Sequence, residues 1–84
     1  GWRPADAMDE VDLAQRVIAA SHGCAWWGTR AAMGGPGSIE RWRHTKPPLS
    51  HLDHVHLSEL GYQRLAETFA ADLLGAYDAW RVAP

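Results

Sequence analysis

The chain has 84 residues, 46% of them hydrophobic, with eight Lys and Arg against ten Asp and Glu for a formal net charge of -2. A core of this size is marginal by itself; the interspersed charges exclude a nucleic-acid binder, which needs clustered cations to neutralise phosphates; and no stretch approaches the roughly 20 apolar residues of a membrane span. The single cysteine, Cys24, cannot form an internal disulfide, and its apolar neighbours predict a buried thiol.

Gly1-Trp2-Arg3-Pro4 carries neither an initiator Met nor a signal-peptide pattern, and this start reads as a cut or processed end. From about Asp9 to Ser21, Val11, Ala14, Val17 and Ile18 fall at helical spacing, Asp12, Gln15 and Arg16 take the other side, and Gly23 is placed to end the helix. Cys24-Ala25-Trp26-Trp27 follows at once. A short apolar run without polar alternation is expected of a strand covered on both faces in a parallel sheet, and it puts both tryptophans in the core. Met33-Gly34-Gly35-Pro36-Gly37 is an obligatory loop; Ser38 is a cap for a short helix through roughly Arg43, and Pro47-Pro48 stops any continuation. Ser58 is a good N-cap for a long final helix, on which Tyr62, Leu65, Phe69, Leu73, Ala76 and Trp80 trace one face.

A single buried strand leaves its backbone donors and acceptors without partners, so its neighbours must come from elsewhere. The expected fold is therefore α/β: the C-terminal helix–strand–loop–helix portion of a larger three-layer domain with a parallel sheet.

Asp53 and His56 stand three residues apart just before the final helix. At that spacing the carboxylate can accept a hydrogen bond from one ring nitrogen and leave the other facing a serine hydroxyl, which is half of a catalytic triad. An Asp that caps a turn beside an ordinary loop histidine has the same spacing. The stretch His51-x-Asp53-His54-x-His56 also allows a zinc site, because side chains two apart in an extended segment share a face. The strand end running into the Gly-rich loop is where α/β enzymes place substrate contacts, which points to Arg30, Met33, Gly34 and Gly35; an exposed salt bridge is the competing role for Arg30. No serine here has a nucleophile's context. Ser38 lies outside any Gly-x-Ser-x-Gly elbow, Ser58 is used as a cap, and Ser21 and Ser50 have no supporting neighbours.

The run Asp53-x-x-His56-Leu57-Ser58-x-x-Gly61-Tyr62 resembles the last conserved block of the SGNH (GDSL) family of esterases and acetylhydrolases. The segment from Trp26 through Met33-Gly34-Gly35 and Ser38, with Trp42 and Pro47-Pro48-Leu49 after it, is similar to one in members that remove acetyl groups from peptidoglycan or other polysaccharides. The resemblance implies that residues 1–84 form the C-terminal part of a single α/β/α SGNH-hydrolase domain, with Asp53 and His56 completing its triad. The nucleophilic serine and the glycine and asparagine of the oxyanion site would then come from an N-terminal portion outside this chain, separated by nicking or loss. It implies hydrolysis of an acyl ester, by preference O-acetyl, on a saccharide, with no cofactor or metal, and an exported, envelope-facing location. The competing expectations are a non-catalytic interaction module that folds by docking on a partner, and a small metal-binding domain built on His51, His54 and His56.

Overall fold

The structure, a computed structural model, describes residues 2–84. Four helices carry it: α1 (Ala7–Ser21), α2 (Thr29–Met33), α3 (Ser38–Arg43) and α4 (Glu59–Arg81). Asp9 and Glu10 occupy the first turn of α1, where acidic side chains meet the positive end of the helix dipole. Gly23 closes that helix at φ 69°, and the Cys24 amide reaches back to the Ala19 carbonyl at 2.8 Å. Only a residue that tolerates a left-handed backbone allows this closure without strain. Helix α4 starts on Ser58, whose Oγ accepts from the Gly61 amide at 3.1 Å and donates to the Pro48 carbonyl at 2.8 Å, so one hydroxyl both caps the helix and ties it to the preceding loop.

The region from Gly28 to Gly61 is the best-knit part of the molecule. The Trp42 indole N–H donates to the Met33 carbonyl at 3.0 Å, joining α3 to α2. The Leu49 amide donates to the Trp42 carbonyl at 2.8 Å, and Ser50 Oγ donates to the Ile39 carbonyl at 2.7 Å, laying the 49–58 loop on α3. An antiparallel bridge between Ser50 and Leu57 then pinches that loop shut, with the His51 amide on the His56 carbonyl at 2.9 Å and the Ser58 amide on the Leu49 carbonyl at 3.0 Å. Leu49 and Leu57 are buried beneath it, a transfer that stabilises by about 1.5–3 kcal/mol each. Farther out, Trp27 bridges to α4: its indole N–H donates to Asp72 at 2.8 Å and its ring meets Phe69 edge-on at 5.0 Å.

The expected α/β architecture with a parallel sheet is not what forms. The described residues are mainly helical and contain no sheet, only the isolated Ser50–Leu57 bridge. Cys24–Trp27 is a connector without regular structure rather than a strand. Of its amides only that of Cys24 finds a backbone acceptor among the described residues, and an apolar run without a neighbouring strand has no ladder to join. The burial expected of that run fails with it: Cys24 is exposed, Trp26 is 40% exposed and Trp27 is half-buried. Two smaller expectations also change. Met33 is the last residue of α2 rather than part of the loop, and Gly37, at φ 78°, occupies the cap position of α3 while Ser38 is buried as its first residue without a capping hydrogen bond.

Candidate active site

The 49–58 loop places Asp53 and His56 together as their spacing predicts. Asp53 Oδ1 accepts from the amides of Val55 at 2.9 Å and His56 at 3.0 Å, and its Oδ2 meets His56 Nδ1 at 2.7 Å. The His56 ring, then its own amide and that of Val55, hold the Asp53 carboxyl well below the usual carboxylate range. An ionised carboxylate only accepts, so Nδ1 carries the proton and the lone pair of neutral His56 lies on Nε2. Nε2 makes no hydrogen bond among the described residues, and the side chain is 66% exposed. The turn-capping contact and the carboxylate–imidazole contact, alternatives from sequence, coexist here: one oxygen of Asp53 caps the turn and the other holds the imidazole.

Among the described residues no serine hydroxyl bonds to His56. Ser50 Oγ is committed to the Ile39 carbonyl, and Ser58 Oγ to the Pro48 carbonyl and the Gly61 amide.

Asp53 also borders a groove of about 930 Å3 between α1 and the Gly-rich loop, which Arg30, Met33 and Gly35 line as well. Three of the four residues expected to touch substrate thus reach the same groove as Asp53; Gly34 and His56 are not part of its wall. Arg30 ion-pairs with Asp9 of α1 at 2.8 Å, the salt-bridge role that competed with substrate anchoring. Met33 and Gly34 give their carbonyls to Trp42 and to Arg41 (3.0 Å), and the second Arg41 amine donates to the Pro36 carbonyl at 3.2 Å. Arg41 therefore laces the glycine loop through its backbone oxygens, a role with no sequence signal beyond a cation near a glycine cluster.

A second carboxylate–histidine contact was not expected. Glu40 of α3 accepts from His54 Nε2, from His44 Nε2 at 2.7 Å, and from Arg43 through Nε at 3.2 Å and Nη2 at 2.8 Å. Arg43 first, then His54 and His44, bring the Glu40 carboxyl from 4.5 down to about 2. The His54 ring is stacked face to face on Trp2, centroids 4.2 Å apart and planes within 2°. Its backbone is left-handed at φ 57°, a conformation costing a residue with a Cβ roughly 1–2 kcal/mol. That turn of the backbone also undoes the zinc geometry, because His54 and His56 no longer alternate along an extended segment: one ring goes to Glu40, the other to Asp53. No three His, Cys, Asp or Glu side chains among the described residues are grouped to hold a metal ion.

Compared with known proteins, the chain matches no family model, no curated protein and no solved structure. No helix among the described residues is long and apolar enough to cross a membrane.

Proposed function

We propose that this chain supplies the acid–base half of a serine esterase site of the SGNH kind. The observation that carries the reading is the 2.7 Å contact between His56 Nδ1 and Asp53 Oδ2, on a carboxylate whose other oxygen is fixed by two backbone amides. A base oriented in this way takes the proton of a serine hydroxyl through Nε2 as the serine attacks an acyl carbonyl, then returns it to the leaving alkoxide; Asp53 stabilises the imidazolium between the two steps. The substrate class is an acyl ester, by preference O-acetyl on a saccharide.

The nucleophile and the oxyanion donors belong to a further polypeptide portion of the same domain, packed on this chain. Two features support that occupant. No serine here reaches His56, and the apolar faces of α1 and α4 lie open: Val11, Val17 and Ile18 on one, Leu73, Leu74 and Trp80 on the other are 46–74% exposed. Replacing His56 by Ala in the protein as isolated, with whatever polypeptide packs on it, lowers hydrolysis of p-nitrophenyl acetate by at least about 100-fold, the typical contribution of a general base. Unchanged hydrolysis in that variant removes the reading.

A specific observation also favours a second reading, the non-catalytic docking module: Trp2, Trp26 and Trp80 are 40%, 40% and 74% exposed, as expected of a surface that binds a partner. Partner binding without any esterase activity in the complex decides for it.

A further inference from the structure

Glu40 takes no part in the Asp53–His56 contact, yet its side chain reaches the same loop from α3. The point of contact is His54, the only non-glycine residue with a positive φ among those described. Asp53 stands before it, and Val55 and His56 stand after it. The two amides that close on Asp53 Oδ1 and the ring that meets Oδ2 therefore all lie downstream of the left-handed residue. If His54 relaxed to an ordinary negative φ, the chain beyond it would swing and those three contacts with Asp53 would lose their alignment.

The backbone does not favour that conformation; within the loop the His54 amide reaches the His51 carbonyl at 3.4 Å and the Asp53 turn closes around it, and side-chain contacts from outside the loop anchor it further. Two are present: the Trp2 indole covers one face of the His54 ring, and Glu40 accepts from its Nε2. Glu40 is itself aimed, since Arg43 and His44 donate to its other oxygen, and its side chain is only 23% exposed. The hydrogen bond of Ser50 to the Ile39 carbonyl ties the base of the same loop to the same helix, one residue before Glu40. Helix α3 thus grips the loop at its base and at its tip.

We propose that Glu40 is a positioning residue for the acid–base pair, acting through His54 to hold the left-handed turn on which the Asp53–His56 alignment depends. The inference rests on reading Asp53 and His56 as that pair, but its test reads geometry and not turnover. The probe is the Nδ1 proton of His56, which a charge-assisted bond to a carboxylate shifts far downfield in proton NMR. It is recorded on the protein as isolated, together with any polypeptide packed on it. The indole proton of Trp27, bonded to Asp72, serves as the remote reporter of the fold.

Glu40→Ala is expected to abolish the His56 signal while the Trp27 signal stays. Glu40→Gln, whose amide oxygen still accepts from His54, is expected to restore it, which a mere loss of charge at α3 would not. His54→Gly is expected to keep the His56 signal, because glycine adopts a positive φ without an anchor, and adding Glu40→Ala to it is expected to change nothing further. If Glu40→Ala removes both signals, their return in the His54→Gly background supports the proposal and their continued absence overturns it. An unchanged His56 signal in Glu40→Ala also overturns it, as does an equal loss with and without His54→Gly. Failure of the esterase reading is seen separately, as ester hydrolysis that survives His56→Ala.

Discussion

Asp53 carries two contacts that a sequence treats as alternatives, and it carries them because its two oxygens point to different donors. Three residues of separation suffice for both, so the pairing was legible: a carboxylate at the start of a tight turn meets the amides two and three residues on, and the ring at the third position folds over it. The Glu40–His54 contact was not legible. Fourteen residues separate the partners, the contact depends on a left-handed residue that is not glycine, and Trp2, which stacks on the histidine, lies in a segment with no predicted element. Its acid dependence follows from its sign. Glu40 has a folded pKa lowered from 4.5 to about 2, so its contribution is full above about pH 4.5 and is lost as the pH falls toward 2. In acid titration followed by far-ultraviolet circular dichroism, Glu40→Gln should start less stable at neutral pH and lose less between pH 4.5 and 2 than the native chain. An identical acid transition in both would show that Glu40 carries no charge-dependent anchoring.

Among the elements, α4 is legible in the sequence and the irregular Cys24–Trp27 connector is not, for one reason. Helix α4 satisfies its own backbone and needs only a start signal, which Ser58 gives through a capping bond set by local geometry. A strand satisfies nothing alone; Cys24–Trp27 has the composition of a covered strand, and composition cannot supply the neighbour that makes it one. The same limit undid the predicted burial of Cys24 and Trp26. The start of α4 also explains a residue the sequence offered only as part of a motif. A Cβ on Gly61 would lie 1.9 Å from the Leu49 carbonyl oxygen, in backbone that the Ser58 amide and the Ser58 hydroxyl hold from both sides. Gly61→Ala is therefore expected to destabilise by at least about 1–3 kcal/mol, the range for forced overpacking, and to loosen the loop that carries Asp53. Ser58→Ala, which removes a cap, is expected to cost about 1 kcal/mol. Urea unfolding checks both, and a Gly61→Ala chain as stable as the native one would mean that α4 does not close on the loop in this way.

At the scale of the whole molecule, the chain is spread out. Its radius of gyration is 15.0 Å, against about 12 Å for a compact domain of this length. Its accessible surface is 6435 Å2, roughly 1,500 Å2 more than a compact monomer of 9.3 kDa presents. Much of that surface is apolar and lies on the two long helices, whose stripes were read correctly as amphipathic but face solvent along most of their length. What covers a stripe is set by residues the stripe does not contain, which is why pattern predicted the helices and missed their environment. The proposed further polypeptide portion would account together for a carboxylate–imidazole pair that no serine hydroxyl here bonds to and for helices without a cover. Denaturing intact-mass spectrometry after treatment with a serine-directed fluorophosphonate tests this most directly, because it counts the chains present and finds the reactive serine in one spectrum. A companion polypeptide carrying the adduct is expected, as is loss of that adduct when His56 is replaced by Ala. A preparation that hydrolyses acyl esters while containing this chain alone, unmodified, would contradict it.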